Sequence, residues 1–372
     1  MTSLREPAAL SASDFGAVRR RAARSAEWVV AAWLFLCCAL IFLVVVVGGI
    51  TRLTQSGLSI TDWDPIVGVV PPLSHAGWQA AFAQYKLIAQ YRLIHSGMTL
   101  AGFKTIFLWE YVHRLLARLV GLAYGLPFLF FLWRGKLPRR LALPLAGILV
   151  LGFCQGLLGW YMVESGLAGR ADVSQYRLAA HLALALLIYA AILWVALGLV
   201  RAPAEELDPG PLWRRSAEGV LALVALTIAA GAFVAGLHAG LVYNTFPLMD
   251  GRLVPKSYAA FHPFLRNWFE NVAAVQFDHR LLAMATVAVV LVMWAQGWRA
   301  ALPRPALIAV NLLFAALLVQ AGLGISTLLL VVPIPLAVAH QAGAIMLLTA
   351  TILFRHTLCR PARLDGRPAA AI

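Results

Sequence analysis

The sequence predicts an all-α membrane protein with eight transmembrane helices, arranged as two four-helix bundles that run in the same orientation. The 372 residues are 62% hydrophobic and only 12% charged, far from the balance of a soluble domain. Several apolar stretches approach or exceed the ~20 residues that cross a bilayer. A segment of the first half also returns, nearly unchanged, in the second half. Together these observations indicate a duplicated integral membrane protein.

The positions of the apolar stretches predict the individual spans. We place the spans at 28–50, 112–133, 141–163, 178–200, 216–238, 279–298, 304–327 and 335–355. Four spans return the chain to its starting side, so the two copies have parallel orientation. The predicted organisation is a tail (1–27), an N-terminal half (28–201), a linker (202–215), a C-terminal half (216–356) and a second tail (357–372).

The distribution of charge predicts the orientation. Lys and Arg are concentrated in both tails, in the linker and in the short connections near 134–140 and 299–304. The positive-inside rule therefore places both termini in the cytoplasm of a cell inner membrane. The formal net charge of +14 is explained by these short basic segments, and we expect no nucleic-acid partner.

The repeated segment carries a histidine in each copy. Glu110–Ala117 reads EYVHRLLA, and 166 residues later Gln276–Ala283 reads QFDHRLLA. Each copy is followed by a second histidine at the start of a later apolar stretch, His181 in the first half and His340 in the second. A shorter repeat pairs QGLLG at Gln155 with QAGLG at Gln320.

Four histidines at repeat-matched positions in membrane segments predict two pairs of axial heme ligands. His113 and His279 are expected to open the second span of their halves, and His181 and His340 to lie about one turn into the fourth. A bis-histidine heme needs imidazoles from two helices on opposite faces of the macrocycle. The alternative is that the histidines are buried and hydrogen-bonded to neighbouring helices. Zinc is a poor fit, because no cysteine or carboxylate cluster completes either pair.

At the position of Glu110 the second copy carries the neutral Gln276, and it carries Asp278 where the first copy has Val112. Glu110 precedes His113 by three residues, so both share one helix face. A carboxylate there could act as a base or stabilise positive charge on a substrate. The alternatives are an interfacial residue in water or a first-turn charge favoured by the helix dipole. The loss of charge in the second copy favours a catalytic Glu110, with chemistry in one half and a bound cofactor in the other.

Three arginines near the histidines have two interpretations. Arg52 follows the first span, and Arg114 and Arg280 follow the first histidine of each half. They can extend to lipid headgroups or pair with heme propionates, whose carboxylates suit the planar guanidinium. The sequence leaves both interpretations open.

These residues resemble the heme A synthase family, from about residue 28 to residue 356. The resemblance lies in six segments: Gly48–Ser59, Phe103–Arg114, Gln155–Leu167, Tyr176–His181, Asn244–Gly251 and Asn267–Arg280. It is specific to the mitochondrial and proteobacterial branch, because another bacterial branch carries a cysteine pair in the first outer loop and this chain has none there.

The resemblance implies an enzyme that oxidises a ring methyl of heme O to a formyl group, giving heme A for terminal oxidases. It also implies heme b as a cofactor on His279 and His340, substrate heme at His113 and His181, and Glu110 as the catalytic residue. It further implies heme sites toward the outer face, an enzyme supplying heme O and an electron-transfer partner.

Two other functions compete with this one. A di-heme b-type electron-transfer cytochrome explains the four histidines but gives Glu110 and Gln276 no reason to differ. A transporter with parallel repeats would use the histidines as a proton relay. It predicts acidic residues near mid-membrane, and the spans carry almost none.

Overall fold

The computed structural model describes residues 12–62, 68, 70–169, 171–200, 210–300 and 302–358, with side chains from residue 27 onward. Within these ranges the chain is all-helical, and the one extended pairing is an isolated bridge between Met249 and Arg252. Most of the linker and nearly all of the C-terminal tail lie outside the described ranges.

Eight helices in the described ranges are long and apolar enough to cross a membrane, which confirms the predicted fold class. We call them spans 1 to 8: Glu27–Leu53, Leu100–Trp133, Arg139–Leu167, Gln175–Val200, Pro211–Gly236, Val272–Arg299, Arg304–Leu329 and Ile334–Thr357. The helix of span 1 begins earlier, at Ala12, inside the predicted N-terminal tail.

Spans 2 and 6 begin well before their predicted starts. Span 2 begins at Leu100, where the Thr99 side chain accepts a hydrogen bond from the Gly102 amide. Span 6 begins at Val272, capped by the Asn271 side chain. The sequence-based boundaries at 112 and 279 were therefore wrong, because polar side chains interrupt the apolar pattern without ending the helix: Lys104 and Glu110 in span 2, and Gln276 and Asp278 in span 6.

The spans pack in matching pairs. Spans 1 and 5 each contact the next span and the last span of their own group of four, and spans 3 and 7 contact the span that follows. Spans 1, 4, 5 and 8 also contact one another across the centre of the molecule. The division into two parallel-orientation bundles stays a prediction. It requires the same contacts within each group of four spans, and those contacts are present.

The apolar core fills one end of this bundle. Fully buried side chains such as Leu34, Ile192, Leu313 and Phe354 lie away from the two long connections, 54–99 and 237–271. We call the other end, where those connections lie, the loop end. The four histidines lie between the apolar core and the loop end, where the helices carry polar side chains.

Part of the first long connection covers the start of span 2. Helices His75–Tyr85 and Ala89–Leu93 place Phe82 and Tyr85 against Phe103 and Phe107. Tyr85 is fully buried, and its hydroxyl donates to Gln90 Oε1 (3.0 Å) and lies 2.6 Å from His95 Nδ1. Burial, and to a smaller extent Glu110, raises the pKa of Tyr85. This aromatic cluster therefore shields the helix segment that leads to Glu110.

Candidate heme and active site

The four candidate ligands lie on the even-numbered spans, toward the loop end. His181 and His340 each follow the first residue of their span by six positions, or about 9 Å of helix rise. His279 lies seven positions into span 6, and His113 thirteen into span 2. The prediction that His113 and His279 open their spans was wrong, because both helices extend further toward the loop end.

His279 and His340 face one another across one cleft. Their ring centroids are 6.5 Å apart and their planes meet at 85°. Metal–imidazole bonds are about 2.0–2.1 Å long and each ring centroid lies about 1.1 Å behind its nitrogen, so two imidazoles on one iron have centroids roughly 6 Å apart. The spacing therefore fits a single metal atom held between the two rings, as in a bis-histidine heme.

The surroundings of the His279 Nδ1 nitrogen also fit metal binding through the other ring nitrogen, Nε2. Its Nδ1 lies 3.0 Å from the backbone oxygen of Thr227. A proton on Nδ1 would make this contact a hydrogen bond and leave the Nε2 lone pair for a metal. Among the described residues no group of three or more His, Cys, Asp or Glu side chains forms a conventional metal site. A prosthetic group that brings its own metal suits this pair better than a bare ion.

The other pair lies on spans 2 and 4. His181 is within electrostatic range of His113. The Gln155 Nε2 donates to the His181 backbone oxygen (3.0 Å) and lies 3.2 Å and 3.3 Å from the two ring nitrogens. The His113 Nδ1 is buried without a hydrogen-bond partner. His113 and His181 therefore lie near one another, as the predicted pairing in the first half requires.

Glu110 is buried within hydrogen-bonding distance of three groups. Only 2% of the residue is exposed. One carboxylate oxygen accepts from the Ser59 hydroxyl (2.7 Å) and from the Ile60 amide (2.8 Å). The other accepts from Arg114 at 2.6 Å. The alternative of an interfacial carboxylate in water is therefore wrong, since protein groups take the place of water.

Gln276 occupies the matching place on span 6 and is equally buried. Its Nε2 donates to the backbone oxygen of Tyr243 at 3.0 Å. Arg280 donates to the same oxygen (2.6 Å) and to that of Thr245 (2.8 Å). The second site therefore has a neutral amide and an arginine bound to the loop backbone, where the first has an ion pair.

The three arginines all contact protein groups. Besides Glu110, Arg114 donates to the Ile60 oxygen at 3.1 Å. Arg280 is 8% exposed and covered by the loop, so its predicted extension to lipid headgroups is wrong. Arg52 joins spans 1 and 5, since it donates to the Ala235 oxygen (3.0 Å) and lies 2.8 Å from His238 Nε2. Propionate binding by these arginines stays a prediction.

Several contributors to the site were missed at the sequence level. Ser59 and the Ile60 amide belong to a connection whose fold the sequence does not reveal. Tyr258 is another residue near the site that was missed, and its hydroxyl donates a hydrogen bond to Asp278 at 3.0 Å. The conserved spacing within the QGLLG and QAGLG segments was visible but had no interpretation. In the structure the final glycines of these segments, Gly159 and Gly324, contact His181 and His340.

The fold and site define a class: an all-helical, eight-span membrane protein with two pairs of interior histidines and one buried acid–arginine pair. The family model described as "Cytochrome oxidase assembly protein", COX15-CtaA, matches residues 31–352. The chain therefore belongs to the COX15-CtaA family of cytochrome oxidase assembly proteins, and the resemblance predicted from sequence is confirmed.

Curated relatives carry a more specific name. The heme A synthase of Nitrosospira multiformis is 51% identical over 334 residues, which cover 89% of this chain and 94% of the relative. That of Nitrosomonas eutropha is 50% identical and covers 87% and 92%. That of Rhodospirillum centenum is 50% identical and covers 95% and 93%.

Proposed function

We propose that this protein is a heme A synthase, an enzyme that converts heme O to heme A by oxidising a ring methyl to a formyl group. The family and the relatives' names support the activity. The single observation that carries the assignment of halves is the replacement of the Glu110–Arg114 ion pair by Gln276 and a backbone-bound Arg280. A cytochrome with two equivalent hemes gives this difference no purpose.

In the C-terminal half, His279 and His340 would hold heme b. The 6.5 Å centroid separation and the Thr227 contact support this assignment. Held by these two imidazoles, the group would supply single-electron transfer. The protein's part is to hold both rings and to exclude competing ligands.

The N-terminal half binds the substrate heme at His113 and His181. Glu110 lies on the same helix face as His113, three residues away, and the aromatic cluster of the first connection shields that helix. Oxidation of the methyl group withdraws electron density from its carbon and makes its hydrogens acidic. A fixed carboxylate can accept a proton there or stabilise the positive charge. Ser59 and the Ile60 amide hold one carboxylate oxygen, so Glu110 is pre-oriented.

The remaining assignments follow from this one. Arg52 lies in the last turn of span 1, and Arg114 and Arg280 directly follow His113 and His279, so heme propionates near these histidines would find guanidinium partners. The protein resides in a bacterial inner membrane with both termini in the cytoplasm and the heme sites toward the outer face. It receives heme O from a farnesylating enzyme and passes electrons to a redox partner.

Pigment analysis tests the proposal. The protein is purified from a host that makes heme O but no heme A of its own, and its hemes are extracted, separated and identified. We expect about one heme b per chain together with heme O and heme A. Two hemes b per chain, with no heme O or heme A, would instead establish the di-heme cytochrome.

A further inference from the structure

Each of the four histidines packs one ring edge against a glycine on the preceding span. The pairs are Gly48 with His113, Gly159 with His181, Gly231 with His279 and Gly324 with His340. The glycines lie on spans 1, 3, 5 and 7, and the histidines on spans 2, 4, 6 and 8. One contact therefore occurs four times, once for each candidate ligand.

The geometry of the contact is also the same each time. A Cβ atom built on the glycine would lie 2.8, 2.9, 3.0 and 2.8 Å from the histidine Cε1, in the order given above. Nδ1 would follow at 3.2–3.5 Å and Nε2 at 3.7–3.8 Å. The Cε1–Nδ1 edge therefore faces the glycine, and Nε2 is the more distant nitrogen.

A helix carbonyl lies on the Nδ1 side of three of the four rings, whereas His181 Nδ1 lies 3.2 Å from the side-chain Nε2 of Gln155. His279 Nδ1 is 3.0 Å from the oxygen of Thr227, four residues before Gly231. His113 and His340 interact with the backbone of Val44 and Gln320, four residues before Gly48 and Gly324, at a geometry too loose for a hydrogen bond. The carbonyl four residues earlier lies beneath each helix position, so a side chain at that position would screen it. Glycine leaves it open to the imidazole.

We propose that Gly48, Gly159, Gly231 and Gly324 are positioning residues that fix the ring orientation of four heme-binding histidines, and that Gly48, Gly231 and Gly324 also fix the tautomer of theirs. The proposal rests on the heme ligation proposed above. An imidazole whose Nδ1 proton points to a backbone oxygen presents its Nε2 lone pair to iron. An alanine methyl at the same position would push the ring away from the carbonyl. The ring could swing aside in the empty protein, but a ring bonded to iron could not do so without distorting that bond.

The matched test compares two glycines on span 7. Gly324→Ala places a methyl against His340, whereas a Cβ at Gly322 meets nothing within 4 Å. We expect Gly322→Ala to retain heme b with an unchanged absorption spectrum and midpoint potential. Gly324→Ala should weaken heme b binding about 10- to 100-fold, the range for outer partners of metal-bound histidine, and shift the potential of any heme retained. Equal behaviour of the two variants would overturn the proposal.

The substrate half offers the same comparison on span 3. Gly159→Ala places a methyl 2.9 Å from the His181 Cε1, and a Cβ at Gly156 meets nothing within 4 Å. We expect both variants to keep heme b, and only Gly159→Ala to lose bound heme O, read from extracted pigment. Normal heme O content in Gly159→Ala would overturn the role of this glycine.

A double-mutant cycle decides the case in which Gly324→Ala fails to accumulate. If the methyl clashes with the imidazole, the Gly324→Ala/His340→Ala protein should accumulate and melt like His340→Ala alone. If the double variant is still defective, the glycine serves helix packing and the proposal fails. His340→Ala also separates the two proposals, since heme b retained at its normal level in that variant would refute the ligand assignment itself.

Discussion

Glu110 and Gln276 each hydrogen-bond to the backbone at the same position of the connection that precedes their span, but Glu110 accepts its hydrogen bond and Gln276 donates one. Glu110 accepts from the amide of Ile60 at 2.8 Å, and Gln276 donates to the carbonyl of Tyr243 at 3.0 Å. Ile60 and Tyr243 each lie seven residues beyond the last residue of the preceding span, Leu53 and Gly236. The loss of the charge at the Glu110 position in the second copy is therefore accompanied by a different orientation of the loop backbone.

Glu110→Gln gives the first site the neutral amide of the second. Its oxygen can still accept from Ser59 and Ile60, and Arg114 keeps its hydrogen bond to the Ile60 oxygen, so the protein should fold and keep normal heme b. The proton-accepting carboxylate is lost, and one such group commonly contributes on the order of 10²–10⁴ in rate. We expect accumulated heme O, or a hydroxymethyl intermediate, with little heme A in extracted pigment. Near-normal heme A would remove the catalytic role.

The reverse change, Gln276→Glu, is the matched control. A carboxylate at this position would face the Tyr243 carbonyl rather than an amide, so the local bonds would be lost without an active site being gained. We expect no new heme A synthesis from the second half. A double variant, Glu110→Gln with Gln276→Glu, that made heme A would show the two halves to be interchangeable.

The sequence predicted the number and class of the spans because each is a long apolar stretch. It also predicted which histidines pair, because the repeat preserves their positions. It failed at the start of span 2, where Glu110 sits inside the helix because Arg114 and the folded-back residues Ser59 and Ile60 stabilise it. Such compensation depends on the path of a connection, and no local pattern encodes that path.

The two histidine pairs should separate in their effect on bound heme. His279→Ala and His340→Ala each remove an axial ligand of the cofactor, so both should lose heme b and activity. His113→Ala and His181→Ala should leave the heme b spectrum largely intact while blocking heme A formation. Absorption spectra and pigment extraction distinguish these outcomes. Loss of heme b from His113→Ala, with retention in His279→Ala, would exchange the roles of the halves.

The perpendicular rings of His279 and His340 predict a spectroscopic property. With imidazole planes at 85°, neither of the two iron dπ orbitals is favoured over the other, so they are nearly degenerate. Oxidised low-spin heme of this kind gives an electron paramagnetic resonance signal with one large, strongly anisotropic g value. We expect this signal from heme b in His113→Ala protein, where the second site is disabled. The ordinary rhombic spectrum of parallel imidazoles would contradict the observed ring geometry.

Substitutions of Glu110 and Arg114 should have strongly non-additive effects on the free energy of unfolding. Arg114→Leu leaves a buried carboxylate without its cation, and breaking a buried pair on one side commonly costs about 3–5 kcal/mol. The Ser59 and Ile60 hydrogen bonds remain, so we expect the lower end of that range and a clear fall in the thermal unfolding midpoint in detergent. Adding Glu110→Gln removes the unpaired charge and should restore part of the stability.

Arg280→Leu is the control for this prediction. Arg280 bonds to backbone oxygens and not to a carboxylate, so adding Gln276→Glu should not restore stability to the Arg280→Leu protein. Additive effects of Arg114→Leu and Glu110→Gln would show that the 2.6 Å contact contributes no coupling energy, and would leave the asymmetry between the two sites without an energetic basis.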